Sequence, residues 1–192
     1  MKKLIVFIFM ISMLTSVFAT VPIAYTAKLE APKSIVISAG TDNSITSLHA
    51  DFTYGLSKSN LHVKLNLEFG FFYLEGLINN NLGEFKEIDL GFSWGARIRT
   101  MRGNIEFAPI AIWNMSYQIY ENVAIYGGAK LNVDLGTATW SGFYMDFDLN
   151  GFIGSQIDLN EKLKLYIEIQ PALWSGVNNA YFGVNYYFSI KE

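Results

Sequence analysis

The side chains best suited to chemistry are few. Ser93 lies in Gly91-Phe92-Ser93-Trp94-Gly95, which has the G-x-S-x-G spacing of a nucleophile elbow. That motif works by holding its serine on a strained turn between a strand and a helix. Around Ser93 the polar and apolar residues alternate without a break, which predicts a mid-strand position and makes the match a coincidence of composition. The chain has two histidines, His49 and His62. Registers inferred from the turn centres put His49 beside Glu68 and Glu68 beside Ser93, one row across three strands. A triad needs the histidine between acid and nucleophile, and here the carboxylate takes the middle place. Opposed residues are about 5 Å apart per strand, which leaves Ser93 about 10 Å from His49, beyond hydrogen-bond reach. No metal-ligand spacing, phosphate loop or nucleotide fingerprint occurs. The residues therefore assign no catalytic group, no metal and no cofactor.

The remaining chemistry is ionic. Around a turn at Met101, Arg97 faces Glu106; around a turn at Gly136, Lys130 faces Asp146 or Asp148, one register step apart. His62 falls near Arg97 or Arg99. If the face that carries these charges is enclosed, they must compensate one another, so the expectation is a structural network of ion pairs. A polar path for small solutes is the functional alternative, and Tyr144, Tyr166, Tyr181 and Tyr187 on the same face argue that such a path is plugged.

The elements that must hold these residues follow from a period of two. From Leu61 the odd positions read Leu61, Val63, Leu65, Leu67, Phe69, Phe71 and Tyr73, and the even ones begin His62, Lys64, Asn66, Glu68 and Gly70. Similar alternation recurs at Phe143 to Asn150 and Leu163 to Gln170; a helical period of 3.6 would scatter those charges round a cylinder. The pattern predicts eight strands: Leu48 to Leu56, Leu61 to Glu75, Phe85 to Ile98, Asn104 to Gln118, Asn122 to Leu135, Gly142 to Ile157, Lys162 to Trp174 and Asn179 to Ile190. Turn residues lie between them, among them Ser57 to Asn60, Asn79 to Gly83, Met101 to Gly103, Asp158 to Glu161 and Ser175 to Asn178. Every connection is short, so neighbours should pair as hairpins in an all-β, antiparallel up-and-down meander. Ile35-Val36-Ile37 could add a ninth strand to what otherwise reads as a leader, residues 20–47, ahead of a barrel domain, residues 48–192.

The amino terminus reads as an export signal. Met1-Lys2-Lys3 is basic, Leu4 to Leu14 is apolar, and Thr15 to Ala19 is small and polar, which predicts cleavage after Ala19. No later segment has the 18 or more continuous apolar residues of a spanning helix, so any further membrane crossing falls to strands. There is no cysteine, hence neither a lipoprotein anchor nor a disulfide framework. The chain has 14 basic and 17 acidic side chains; without Lys2 and Lys3 the balance is 12 against 17, which disfavours nucleic acid as a partner. A hydrophobic content of 51% with 16% aromatics excludes disorder.

Alternation does not say which face is inside, but the placement of glycine helps decide. A narrow barrel needs small residues on its concave face. Gly55, Gly70, Gly91, Gly95, Gly128, Gly154 and Gly183 fall on the polar face, against Gly127 and Gly151 on the apolar one, which Phe52, Phe92, Trp94, Phe107, Trp113, Phe147 and Phe182 load. This predicts an apolar exterior in lipid round a polar lumen. Tyr54, Tyr73, Trp113, Tyr117 and Trp174 lie near strand ends, as interfacial aromatics would. From Leu48 to Ile190 the chain resembles the small outer-membrane barrels of the OmpX type and the OmpA transmembrane domain. The strand Tyr181-Phe182-Gly183-Val184-Asn185-Tyr186-Tyr187-Phe188 is similar to the carboxy-terminal signal of such barrels, although Ser189 to Glu192 follow the last aromatic. The resemblance implies an eight-stranded transmembrane barrel in the bacterial outer membrane, with membrane lipid and the outer-membrane assembly machinery as partners and no assigned small-molecule ligand. Two rival readings are a soluble secreted or periplasmic barrel that binds an apolar ligand, and a lipid-modifying barrel enzyme with acid, histidine and serine assembled near one rim.

Overall fold

The computed structural model describes residues 27, 34–42, 47–56, 58–68, 71–101, 104–138, 142–174 and 179–189. The predicted signal peptide and its cleavage after Ala19 lie outside these residues. The strands are β1 (Ser34–Asp42), β2 (Ser47–Gly55), β3 (Ser59–Glu68), β4 (Phe71–Phe85), β5 (Ile88–Met101), β6 (Asn104–Tyr120), β7 (Val123–Ala138), β8 (Gly142–Asp158), β9 (Leu163–Gln170), β10 (Ala172–Trp174) and β11 (Asn179–Ser189). Each pairs antiparallel with its neighbour in the chain, except that β9 and β10 form one stave interrupted at Pro171, both resting on β8. Proline has no N–H to give the ladder. The ring closes where β1 meets β11, with Ser34 opposite Ser189.

The barrel thus has ten staves, not the eight expected from the alternation and from the OmpX and OmpA resemblance. One addition is β1, drawn from the predicted leader. The other arises because the predicted strand Leu61 to Glu75 is two strands, β3 and β4, which turn back so that Glu68 opposes Phe71. Alternation hides this hairpin, since the apolar run passes through it unbroken. The turn exchanges the parity of the faces: beyond it the even residues Phe72 and Leu74 are exposed and the odd residues Tyr73, Glu75, Leu77 and Asn79 are buried.

The polar run Asn79 to Gly83, expected as a turn, is strand instead. The register slips between Asn81 and Gly83; Gly83 takes φ +114°, and its amide donates to Asn81 Oδ1 at 2.8 Å. The turn-forming residues are thereby spent on a bulge. The hairpin closes later, where Phe85 opposes Ile88, with Lys86 and Glu87 both at positive φ (49° and 67°). That conformation is the one demanded by a two-residue turn that follows the strand twist.

Registers round the ring also set its stagger. A row perpendicular to the strands from Lys64 runs through Glu75, Arg97 and Ala108, is carried to Asp134 by the register of Phe107 with Leu135 and of Ile110 with Asn132, and reaches Asp146; in the other direction it runs through Asp51, Ser38, Asn185 and Lys164 to Asp158. It therefore returns to β8 twelve residues further on. A stagger of this kind is what tilts the staves of a closed barrel, typically by about 35–45°.

Candidate functional site

Inside the barrel the side chains form clusters of polar contacts. Asp51 and Thr53 on β2, Asn60, His62 and Lys64 on β3, Glu75 and Asn79 on β4, and Glu168 and Gln170 on β9 are all buried there. The period of two puts every second residue inside; the tilt then decides which of them meet. Lys130, on β7, reaches across to β4, where its Nζ donates to Glu75 Oε2 at 2.8 Å. Tyr73 donates its hydroxyl to the same carboxylate and receives a weaker contact from Lys130 at 3.4 Å. On another side Asp51 lies 3.7 Å from Lys64 and 3.8 Å from His62 Nδ1. Tyr126 donates to Glu168 at 3.0 Å, and Gln170 Nε2 donates to its other oxygen at 2.5 Å.

Nearer the end where β5 joins β6 the network is arginine-centred. Arg97 Nη2 donates to Glu106 Oε1 at 3.1 Å and to Asp134, and its guanidinium stands 5.4 Å from the centre of the Tyr73 ring. Arg99 and Tyr144 both donate to Glu106 Oε2, at 2.6 and 2.8 Å. The Tyr144 ring covers Gly136 on the neighbouring strand, where a Cβ would come within 2.6 Å of it; Tyr126 covers Gly154 in the same way, at 2.4 Å. These two glycines make room for lumen tyrosines.

The expected pairs are placed differently in detail. Arg97 is opposite Ala108, and it is Arg99 that stands opposite Glu106; Arg97 reaches Glu106 on the diagonal. The turn centre lies one residue later than the expected one, and each such step moves a register by two. Lys130 does not meet Asp146 or Asp148. It lies opposite Asn150, while Asp146 opposes Asp134 and Asp148 opposes Asn132. Nor does His62 sit by Arg97 or Arg99: it pairs with Thr53, whose Oγ1 is 2.8 Å from His62 Nδ1. Local hairpin reasoning missed Asp134 and Glu75, the actual partners of Arg97 and Lys130, because Glu75 reaches its lysine across the barrel.

The row His49, Glu68, Ser93 is not formed. His49 is opposite Asn66, Glu68 is opposite Ser47 and Phe71, and Ser93 is opposite Asn79, to whose Oδ1 it donates at 3.0 Å. The extra hairpin inserts β4 between the strands that were to share that row.

Of the predicted interfacial aromatics, Trp113, Tyr117 and Trp174 are exposed on the convex face and Tyr54 is partly so. Trp113 packs against Phe92 at 5.4 Å between ring centres. Tyr73 is the exception: the parity exchange after β3 turns it inward onto Glu75.

One residue ahead of the barrel also lies within it. Ala27 is buried, its amide donates to Ser116 Oγ at 3.1 Å, and its carbonyl accepts from Asn81 at 3.5 Å. It therefore sits against β4 and β6, across the barrel from β1.

No family model and no curated protein sequence matches the chain. Among solved structures it is similar to a KdgM porin (10% identity, TM-score 0.43, covering 81% of this chain and 99% of the other). It is also similar to a NanC porin (8% identity, TM-score 0.46, 79% and 98%) and to a designed transmembrane β-barrel (12% identity, TM-score 0.37, 84% and 100%). At these values the likeness is one of general barrel shape, and no function is carried across from it.

Proposed function

We propose that this chain is a non-enzymatic outer-membrane β-barrel whose polar lumen is held shut by its own side chains, with a structural or surface role in the bacterial envelope. One observation carries the reading, the inverted sidedness of the wall. Lys64, Glu75 and Glu168 are 0% exposed inside the ring, while Ile153, Ile167 and Trp94 on its outside are 60%, 54% and 52% exposed. A barrel in water would have to hide that apolar belt, whereas lipid accepts it, and closure leaves the wall no open sheet edge for lipid to meet. An apolar-ligand carrier would need the opposite lumen lining. The even number of staves, with both ends of the ring on one side, is also the usual arrangement of bacterial outer-membrane barrels.

The test combines partition and conductance. The protein should fractionate with the envelope, refold from urea into lipid vesicles, migrate as a compact species in detergent until boiled, and give little or no conductance in planar bilayers. Folding in buffer without lipid or detergent would defeat the membrane assignment; a steady open conductance would defeat the closed lumen and leave the barrel standing.

A further inference from the structure

Two sequence features have no role in the closed-barrel reading: the polar run Asn79 to Gly83, and Gly91, the first glycine of the G-x-S-x-G pattern. They meet at Ala27, which precedes the barrel and is buried inside it. Asn81, Gly91 and Asn114 lie on one row across β4, β5 and β6, and Ser116 is two residues further along β6. All four are a few residues from the β4–β5 and β6–β7 turns, at the end where β1 begins.

The bulge between Asn81 and Gly83 sets the direction of the first side chain. Asn81 Oδ1 accepts the Gly83 amide at 2.8 Å, which leaves Nδ2 turned to the Ala27 carbonyl at 3.5 Å. Re-aiming a side chain is a recurrent use of bulges. From β6, Ser116 Oγ accepts the Ala27 amide at 3.1 Å, so the wall meets both main-chain polar groups of Ala27. Gly91 is the floor between them. A Cβ there would come within 3.2 Å of the Ala27 Cβ and would also run into the Asn114 carboxamide. The cleft thus grips main chain through two polar side chains and has room over its floor only for a small residue.

Chain length bears on how this seat is reached. Ser116 and β1 are five staves apart either way round the ring, about 31 Å for strands about 4.8 Å apart at a tilt of about 40°. Seven residue steps link Ala27 to Ser34, at most about 25 Å. That is too short to follow the rim, so the connection has to be made through the opening.

We propose that this cleft is a docking site for the chain's own amino-terminal segment, seated through Ala27 as an intramolecular plug of the mouth at that end. The inference rests on the closed-barrel reading and adds main chain to the side chains that fill the lumen. Ala27 belongs to no strand, so the plug can leave without loss of a ladder hydrogen bond.

The chain has no cysteine, so thiols can be placed singly. The full chain is purified from the envelope in detergent micelles, where reagent reaches both mouths. Ser116→Cys, nearly isosteric and covered by Ala27, should react slowly with a charged maleimide. Adding Ala27→Leu, which the floor cannot accept, should speed the reaction several-fold; position 27 lies outside the ladders, so the barrel itself should still form. Under mild oxidation Ala27→Cys with Ser116→Cys should close a disulfide, read as faster migration in a denaturing gel. Ala27→Cys with Thr53→Cys, opposite Val36 of β1, should not. A thiol at position 116 that reacts as fast as one placed at the exposed Glu87, or bridging that does not favour position 116 over position 53, would overturn the plug. Compact migration before boiling, read on the same samples, reports on the barrel, so failure of the plug and failure of the barrel are told apart.

Discussion

On β7 and β8 the lumen side carries Lys130, Asn132, Asp134 and Asn150, each bonded to a named partner, while the outer side of the same two strands carries the apolar side chains of Ile125, Met145, Phe147 and Ile153, all exposed. One chain thus builds two surfaces with different sensitivities. Inside, a residue counts through its partner, so loss of one member is felt as an orphaned group. Outside, it counts through depth in the lipid, so one apolar residue can replace another but a charge is graded by position.

The largest effect expected from breaking the inner side comes from Lys130→Met. It leaves Glu75 buried without its closest cation and should destabilise the barrel by about 3–5 kcal/mol in reversible urea unfolding from vesicles. Adding Glu75→Gln should recover much of that loss. A double-mutant cycle with no coupling would mean that the lumen is wet enough to screen the pair. On the outer side, Ile167→Arg should cost about 2–4 kcal/mol, and Leu163→Arg, next to the β8–β9 turn, about 0–1 kcal/mol. Equal penalties at both positions would show that depth does not govern this face, and the contrast between the two surfaces would collapse.

Two smaller effects sharpen the comparison at the rims, where neither rule should apply. Lys86 and Glu87 hold positive φ without glycine, so the replacement Lys86→Asn with Glu87→Gly should stabilise by about 1 kcal/mol through the turn alone, read as a higher urea midpoint at unchanged slope. The pair Lys164 and Asp158, 3.3 Å apart and partly exposed, should couple by less than about 1 kcal/mol and lose even that in high salt. A coupling as large as that of Lys130 and Glu75 would place this rim in a dry environment.

Sidedness was legible in the sequence because it depends only on parity within a strand: from Leu163 to Gln170 the odd residues could face only one way and the even ones the other. The glycines of the polar face pointed to the concave side for the same local reason, the space a Cβ needs. Parity says nothing about where a strand ends inside an apolar run, so the turn between Glu68 and Phe71 was invisible; the eight staves became ten, and Tyr73 changed sides. It also says nothing about which inward residues meet. Arg97 still found Glu106, because a diagonal neighbour on the adjacent strand lies within reach of a long side chain. Lys130 and Glu75, by contrast, are 55 residues apart in the chain and three staves apart in the ring. The closure of ten staves with a stagger of twelve residues brought them together.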